Sequence, residues 1–534
     1  MSDERVKRWS DFLWVLVCTL LLCIPAGYEP RHFAKLLFAG AFVQSLFYVL
    51  VAWWLTRRSI CGRTTVFTIA YLLFIVETFT FIFFESRFDP GILTLILQTS
   101  GREISEFFQT YVWSSGTLLF LAAVVVVYGL LLWLLRPAKK HGKLWPVLVS
   151  AGLFVVTWLP LPFPIGQNTI NELAMSVHFV QEKHGEIALM KQAIDNIKVY
   201  AYPEKEEAPV IVLVIGESFN RNHSSLYGYG LETSPLMERE RAEVRLTVFT
   251  DVHTPTNGTD YAMRYLFTLK GCETDHADSS QYVLMPAVMK KAHYGVAYFD
   301  NQYTRSSGGS LDYSCGYFLN PTYINDHCFD YRNTETKEYD GDFINDCRKQ
   351  FLTTHRSLNI IHLQGQHFNA ARRYPASYGV FSASDIQRSD LSESQRQQVA
   401  EYDNATRYND YVLGMIIDSF RKTDGVVIYL ADHGEQIYDG REQNFGRGFS
   451  SEQDEETLRN VYHIPMMIWC SDGYIAHHAE QYQRIQASAG RKFCSADIPY
   501  LLFDLAGVDF NHNHKERSVI DSLFKPHKTI ITDY

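Results

Sequence analysis

The stretch that decides the fold is GVVIYLADHGEQ, residues 425–436. Apolar residues run unbroken from Val426 to Leu430, and Ala431 is followed at once by Asp432 and His433. Such a run, opened by a glycine, predicts a short strand buried on both faces. Ending it in a carboxylate and an imidazole offers two good metal ligands. Alone, an Asp-His pair after a strand is more often a turn or helix cap than a metal site. The reading therefore depends on whether other strands end the same way.

They do. From residue 208 the chain alternates short apolar runs with helical periodicity. The runs are PVIVLVIG (209–216), LTVFTDV (246–252), GVAYFD (295–300), LNIIHL (358–363), GVVIYLAD (425–432) and IPMMIW (464–469). Between two of them YNDYVLGMIIDSFRK repeats at helical spacing. This predicts an α/β domain with a mostly parallel central sheet. In open sheets of that kind ligands gather beyond the carboxyl ends of the strands. Here VLVIG is followed by Glu217, and IIHLQGQH ends in His367. Carboxylates and imidazoles brought to one edge suit zinc, with manganese as the second choice. A further ligand comes from PTNGTDYAMRYLFTL, where Thr259 opens an apparent helix after the Asn257-Gly258 turn. The positive end of that helix favours phosphate and developing negative charge. A metal-bound Thr259 hydroxyl would be a nucleophile. Taken singly, Glu217 reads as a first-turn acid, His367 as a loop histidine and Thr259 as an N-cap.

The first third of the chain differs. Five apolar stretches run roughly Trp9–Ala26, Leu36–Leu55, Thr65–Phe84, Gly116–Leu135 and Leu144–Leu161. Each approaches the ~20 residues a helix needs to cross a bilayer. Arg5, Lys7 and Arg8 precede the first; Arg57, Arg58 and Arg63 separate the second from the third; Arg136, Lys139, Lys140 and Lys143 separate the fourth from the fifth. The positive-inside rule then puts the N-terminus in the cytoplasm and everything after about residue 165 across the membrane. The expected organisation is a transmembrane domain over 1–165, a juxtamembrane helix and linker over 166–207, and an outer catalytic domain over 208–534. Cys272, Cys315, Cys328, Cys347, Cys470 and Cys494 fall in that outer part. Three disulfides, or some buried free thiols, are the two readings. Glu77 lies inside the third stretch, where a carboxylate either serves function or hydrogen-bonds to a neighbouring helix. The net charge of -10, without a basic run, excludes a nucleic-acid footprint.

VLVIGES, SLYGYGLETSP, NGTDYAM, NIIHLQGQH with RRYP, EYDNATRYNDYVL, and DHGEQIYD with YHIPMMIW occur in that order. Together they resemble the bacterial membrane-anchored phosphoethanolamine transferases of the alkaline phosphatase and sulfatase superfamily, above all the branch acting on the lipopolysaccharide core. The resemblance implies zinc held by Glu217, Thr259, Asp432 and His433, Thr259 as nucleophile, and His367 close by on phosphate or a second metal. It implies phosphatidylethanolamine as donor, lipopolysaccharide or another envelope glycan or lipid as acceptor, and a multi-pass inner-membrane protein with a periplasmic catalytic domain. LQTSGREISEFF resembles a segment that meets the lipid donor, which marks Gln98, Thr99, Glu103 and Glu106. Two features depart from the lipid A branch: the nucleophile segment HTPTNGTDYAMRYL lacks flanking cysteines, and REQNFGRG lacks a second histidine after Asp432-His433. The rivals are periplasmic glucan or lipid A as acceptor, a sulfatase-fold hydrolase, a glycerol-phosphate transferase, and a non-enzymatic receptor.

Overall fold

The structure is a computed structural model that describes residues 3–27, 34–84, 93, 115–134, 147–151, 168–272, 279–303, 316–440, 445–446 and 455–526. Two compact units divide the chain between Lys183 and His184.

In the first unit, α1 (Asp3–Cys23), α2 (Ala34–Thr56), α3 (Ile60–Phe84) and α4 (Ser115–Leu134) fall on four of the five expected spans. Among the described residues two helices are long and apolar enough to cross a membrane, over Phe38–Thr56 and Ile60–Ile82. Asp11–Ala26 and Leu121–Trp133 are shorter apolar helices. Five spans are therefore not seen; most of the fifth stretch, and Gln98, Thr99, Glu103 and Glu106, lie outside the described residues. Arg63, expected in a loop, lies within α3, where its Nη1 meets Asp11 Oδ1 of α1 at 2.5 Å, both residues buried. That partner is what lets an arginine sit inside a helical packing. Glu77 is likewise fully buried in α3. The helix α5 (Thr169–Asn196) follows.

The second unit is built on a seven-stranded sheet. Its strands are β1 (Val210–Gly216), β2 (Leu246–Phe249), β4 (Gly295–Asp300), β5 (Tyr331–Arg332), β6 (Ser357–His362), β7 (Gly425–Ala431) and β8 (Met466–Cys470). The order across the sheet is β2-β8-β7-β1-β6-β4-β5. Only β8 is reversed, antiparallel to both β2 and β7, so the sheet is mixed rather than parallel throughout. The expected strand over 246–252 is broken: β2 stops at Phe249, and β3 (Val252–His253) pairs instead with β9 (Phe493–Cys494). β1 and β7 are buried at every position, as their unbroken Val, Ile and Leu runs require. Helix α7 (Glu393–Phe420) starts with a full capping box at Ser392 and Gln395. It turns Val412, Leu413, Ile416, Ile417 and Phe420 into the core.

Three disulfides and buried free thiols were the alternatives; among the described residues one pair of cysteines, Cys272 and Cys494, comes together, with Sγ atoms 2.6 Å apart. Cys328, Cys347 and Cys470 are buried free thiols, and burial pushes the Cys347 thiol up to about 12. Cys315 lies outside the described residues.

Leu213 is fully buried on the central strand β1. Replacing it by alanine should cost about 2–5 kcal/mol. A lower urea midpoint at unchanged denaturant slope is the expected result; an unchanged midpoint would contradict this placement of the core.

Candidate metal centre

Strand register sets the site. Gly216 of β1 lies opposite Ala431 of β7, so the next residues, Glu217 and Asp432, leave the sheet side by side. The Asp432 N–H donates to the Gly216 carbonyl at 3.0 Å, and the Phe219 N–H to the His433 carbonyl at 3.0 Å. These bonds clamp the two strand ends together. Ser218 adopts a left-handed conformation, φ 55°, which is costly for a residue with a Cβ. In return its N–H donates to Asp432 Oδ1 at 3.1 Å and its hydroxyl to Glu217 Oε1 at 2.8 Å. Tyr402 of α7 donates to the Ser218 carbonyl at 2.6 Å and holds the strained turn.

Glu217, Asp432 and His433 are almost fully buried, at 0%, 1% and 0% exposure. Their ligand-type atoms all lie within 4.8 Å of one another. His433 Nε2 is 3.2 Å from Glu217 Oε1 and 3.2 Å from Asp432 Oδ2. Thr259 completes the group. It is the first residue of α6 (Thr259–Phe267), with Gly258 as N-cap. Its Oγ1 lies 3.1 and 3.3 Å from the two Glu217 oxygens and 3.3 Å from His433 Nε2. A tetrahedral zinc with bonds of about 2.0–2.1 Å separates its ligand atoms by about 3.3 Å. The donor set and its spacings therefore fit such an ion. Thr259 is only half-buried, so the hydroxyl is the member of the group open to an incoming molecule.

All four predicted ligands thus meet. His367 lies in the turn after β6, half-buried, its N–H on the Gln364 carbonyl at 3.0 Å. Its neighbour Gln366 donates a backbone N–H to the Glu217 carbonyl at 3.0 Å, which seats this turn against the site. Gly365 is needed there: with φ +48°, it runs so close that a Cβ would stand 2.9 Å from the Glu217 backbone.

Sequence reasoning missed Asp300, Gln302 and His362. Gln302 Nε2 donates to Glu217 Oε2 at 2.9 Å, and buried His362 contacts both Gln302 and Asp300. The signal was present: GVAYFDNQ is another strand ending in polar residues, and His362 is the last residue of β6.

A second cluster of ligand-type atoms, Asp251, His253 and His463, already has a cation. The Arg221 guanidinium lies against His463 Nε2 and donates to the Thr250 carbonyl at 2.6 Å. Burial first, then Arg221, pushes His463 down to about 3, so it carries no charge of its own. His223 behaves oppositely. It is buried, with Nδ1 2.7 Å from Asp403 Oδ1 and Nε2 3.0 Å from Asp439 Oδ2. Burial opposes a charge there, but the two carboxylates outweigh it and raise its pKa to about 10. This bridge ties the segment after Glu217 to α7 and to the segment after His433.

The chain belongs to the sulfatase family, whose profile matches residues 209–508. Its relatives include several phosphoethanolamine transferases. It is 26% identical over 480 residues to phosphoethanolamine transferase EptC of Escherichia coli (strain K12), across 83% of this chain and 80% of that protein. It is equally similar, over the same shares, to phosphoethanolamine transferase CptA of Salmonella typhimurium. Among solved structures, the zinc complex of the C-terminal periplasmic domain of EptC from Escherichia coli is 26% identical, with a TM-score of 0.52 over 62% of this chain and 90% of that one. The integral membrane lipooligosaccharide phosphoethanolamine transferase A of Neisseria meningitidis shares the fold over 97% of this chain and 98% of its own, at a TM-score of 0.65 and 15% identity.

A histidine whose pKa is raised on folding stabilises the protein fully below its unfolded pKa of about 6.5. That contribution is lost as pH rises toward about 10. The melting temperature of the full chain in detergent should therefore fall more between pH 7 and 10 than that of His223→Gln. Equal falls in the two proteins would remove the charged bridge.

Proposed function

We propose that this protein transfers phosphoethanolamine from phosphatidylethanolamine to a cell-envelope acceptor, the lipopolysaccharide core first among them, through a phosphoethanolamine-threonine intermediate. The observation that carries this reading is the half-buried Thr259 hydroxyl set 3.1–3.3 Å from the buried Glu217 and His433 groups. The relatives' printed activities favour this group transfer over sulfate hydrolysis or glycerol-phosphate transfer. One of them, at 27% identity over 306 residues, is the Kdo(2)-lipid A phosphoethanolamine 7''-transferase of Escherichia coli (strain K12), which keeps lipid A as the second acceptor.

Glu217, Thr259, Asp432 and His433 would hold zinc. When bound, the ion lowers the pKa of the threonine hydroxyl and offsets phosphoryl charge. Thr259 Oγ1 attacks the phosphorus, its bond to the diacylglycerol oxygen breaks, and phosphoethanolamine stays on Thr259. The N-terminal N–H groups of α6 face the phosphoryl oxygens, where the helix dipole favours negative charge. His367 gives a proton to the departing diacylglycerol oxygen. An acceptor hydroxyl then attacks the same phosphorus, its proton passing to the His367 imidazole left neutral by the first step, while the bond from phosphorus to Thr259 Oγ1 breaks and frees the threonine. A two-tailed donor stays in the bilayer, so the first unit serves as a five-span inner-membrane anchor over 1–165. A linker over 166–207 follows, and the periplasmic catalytic domain spans 208–534.

Headgroup-labelled phosphatidylethanolamine incubated with the full chain should leave one phosphoethanolamine on the peptide carrying Thr259. Thr259→Ala should lose label transfer by at least about a thousandfold while its circular dichroism is unchanged. Near wild-type transfer by Thr259→Ala would overturn the assignment of the nucleophile.

A further inference from the structure

The two oxygens of Glu217 are held differently. Oε1 accepts from Ser218 at 2.8 Å and faces His433 Nε2 at 3.2 Å. Oε2 accepts from Gln302 Nε2 at 2.9 Å, and Thr259 Oγ1 stands between the two oxygens, 3.1 Å from Oε2 and 3.3 Å from Oε1. That amide nitrogen also donates to the Leu363 carbonyl at 2.9 Å and lies 3.1 Å from His362 Nε2. A carboxylate and a carbonyl only accept, so the nitrogen, not the oxygen, of Gln302 must face them. Its two hydrogens are thereby committed to those oxygens; His362 Nε2 packs against the same nitrogen, and His362 Nδ1 lies 3.1 Å from Asp300 Oδ1. Reversing the amide would set its oxygen against two oxygens that can only accept, those of Glu217 and Leu363.

Asp300 is fixed in turn. It accepts from the Tyr298 hydroxyl at 2.7 Å and from the backbone N–H groups of Gln302 and Tyr303 at 2.8 and 3.0 Å. The sheet aligns the members, for Asp300 lies opposite His362 and His362 opposite Ile215, two residues before Glu217. Asp300 and His362 are both buried.

We propose that Asp300, His362 and Gln302 form a relay of positioning residues that holds Glu217 as a one-oxygen metal ligand, with Oε1 turned to the ion and Oε2 tied back by Gln302. None of the three touches the reacting phosphorus. They set the affinity of the site by fixing the rotamer of one ligand, as partners behind a ligand commonly do. The inference rests on the metal reading above.

The test is zinc affinity, measured by competition with a chromogenic chelator on the full chain in detergent. Melting of the metal-free proteins is followed alongside. Gln302→Leu and His362→Leu should each weaken zinc binding about 10- to 100-fold while the metal-free proteins melt like wild type. The double variant should lose no more than the weaker-binding single, because both changes break one chain. His362→Gln keeps a donor for Asp300 and a polar group packed against Gln302, and it should bind zinc close to the wild-type level. Wild-type affinity in a folded Gln302→Leu protein overturns the relay, as do losses that add in the double variant. Should Gln302→Leu fail to fold, equal zinc affinities for His362→Leu and His362→Gln overturn it. A wild-type protein that takes up no zinc overturns the metal reading and the relay with it.

Discussion

Two carboxylates are buried side by side, and the rest of the site follows from that. Glu217 and Asp432 are almost wholly buried, with ligand atoms within 4.8 Å of each other and of His433. At an effective dielectric of about 20, two negative charges at that range repel by about 3–4 kcal/mol, before the cost of removing each from water. Strand register imposes the arrangement, because Gly216 and Ala431 face each other and their successors cannot diverge. A divalent cation turns this repulsion into attraction. On the proposed reading, the sheet therefore builds a site whose stable form is the metal-bound one.

The surrounding features serve that site. The strained Ser218 turn places donors on both carboxylates, and Tyr402 anchors it from α7. His223 ties the segments after Glu217 and His433 through Asp403 and Asp439. Thr259 alone stands half open, at the head of a helix whose dipole suits a phosphoryl group. The contrast with Asp251, His253 and His463 is instructive. Similar ligand types gather there too, but Arg221 fills the cation's place, and the cluster reads as a structural bridge.

The meeting of Glu217, Thr259, Asp432 and His433 was legible in the sequence because strand ends carry their chemistry beside a strong apolar signal. Glu217, Asp432 and His433 each follow a run of Val, Ile and Leu, and Thr259 follows an Asn-Gly turn. The parallel strands were legible for the same reason. The reversal of β8 was not, since an apolar run has no direction until its partners are known. The break of 246–252 was hidden too: β2 and β3 pair with strands distant in sequence, Met466–Cys470 and Phe493–Cys494. The proposed relay escaped because His362 and Glu217 lie far along the chain from the Asp300–Gln302 segment, and only the strand register brings them together. Cysteine number left three bridges and buried free thiols equally open, and Cys328, Cys347 and Cys470 pack as apolar side chains in the core.

The most direct test is anomalous X-ray scattering at the zinc edge from crystals of the full chain purified without chelator. The account expects one strong peak bonded to Glu217 Oε1, Thr259 Oγ1, an Asp432 oxygen and His433 Nε2, at about 2.0–2.2 Å from each. A fully occupied zinc elsewhere, with these four groups closed on one another and metal-free, would contradict it.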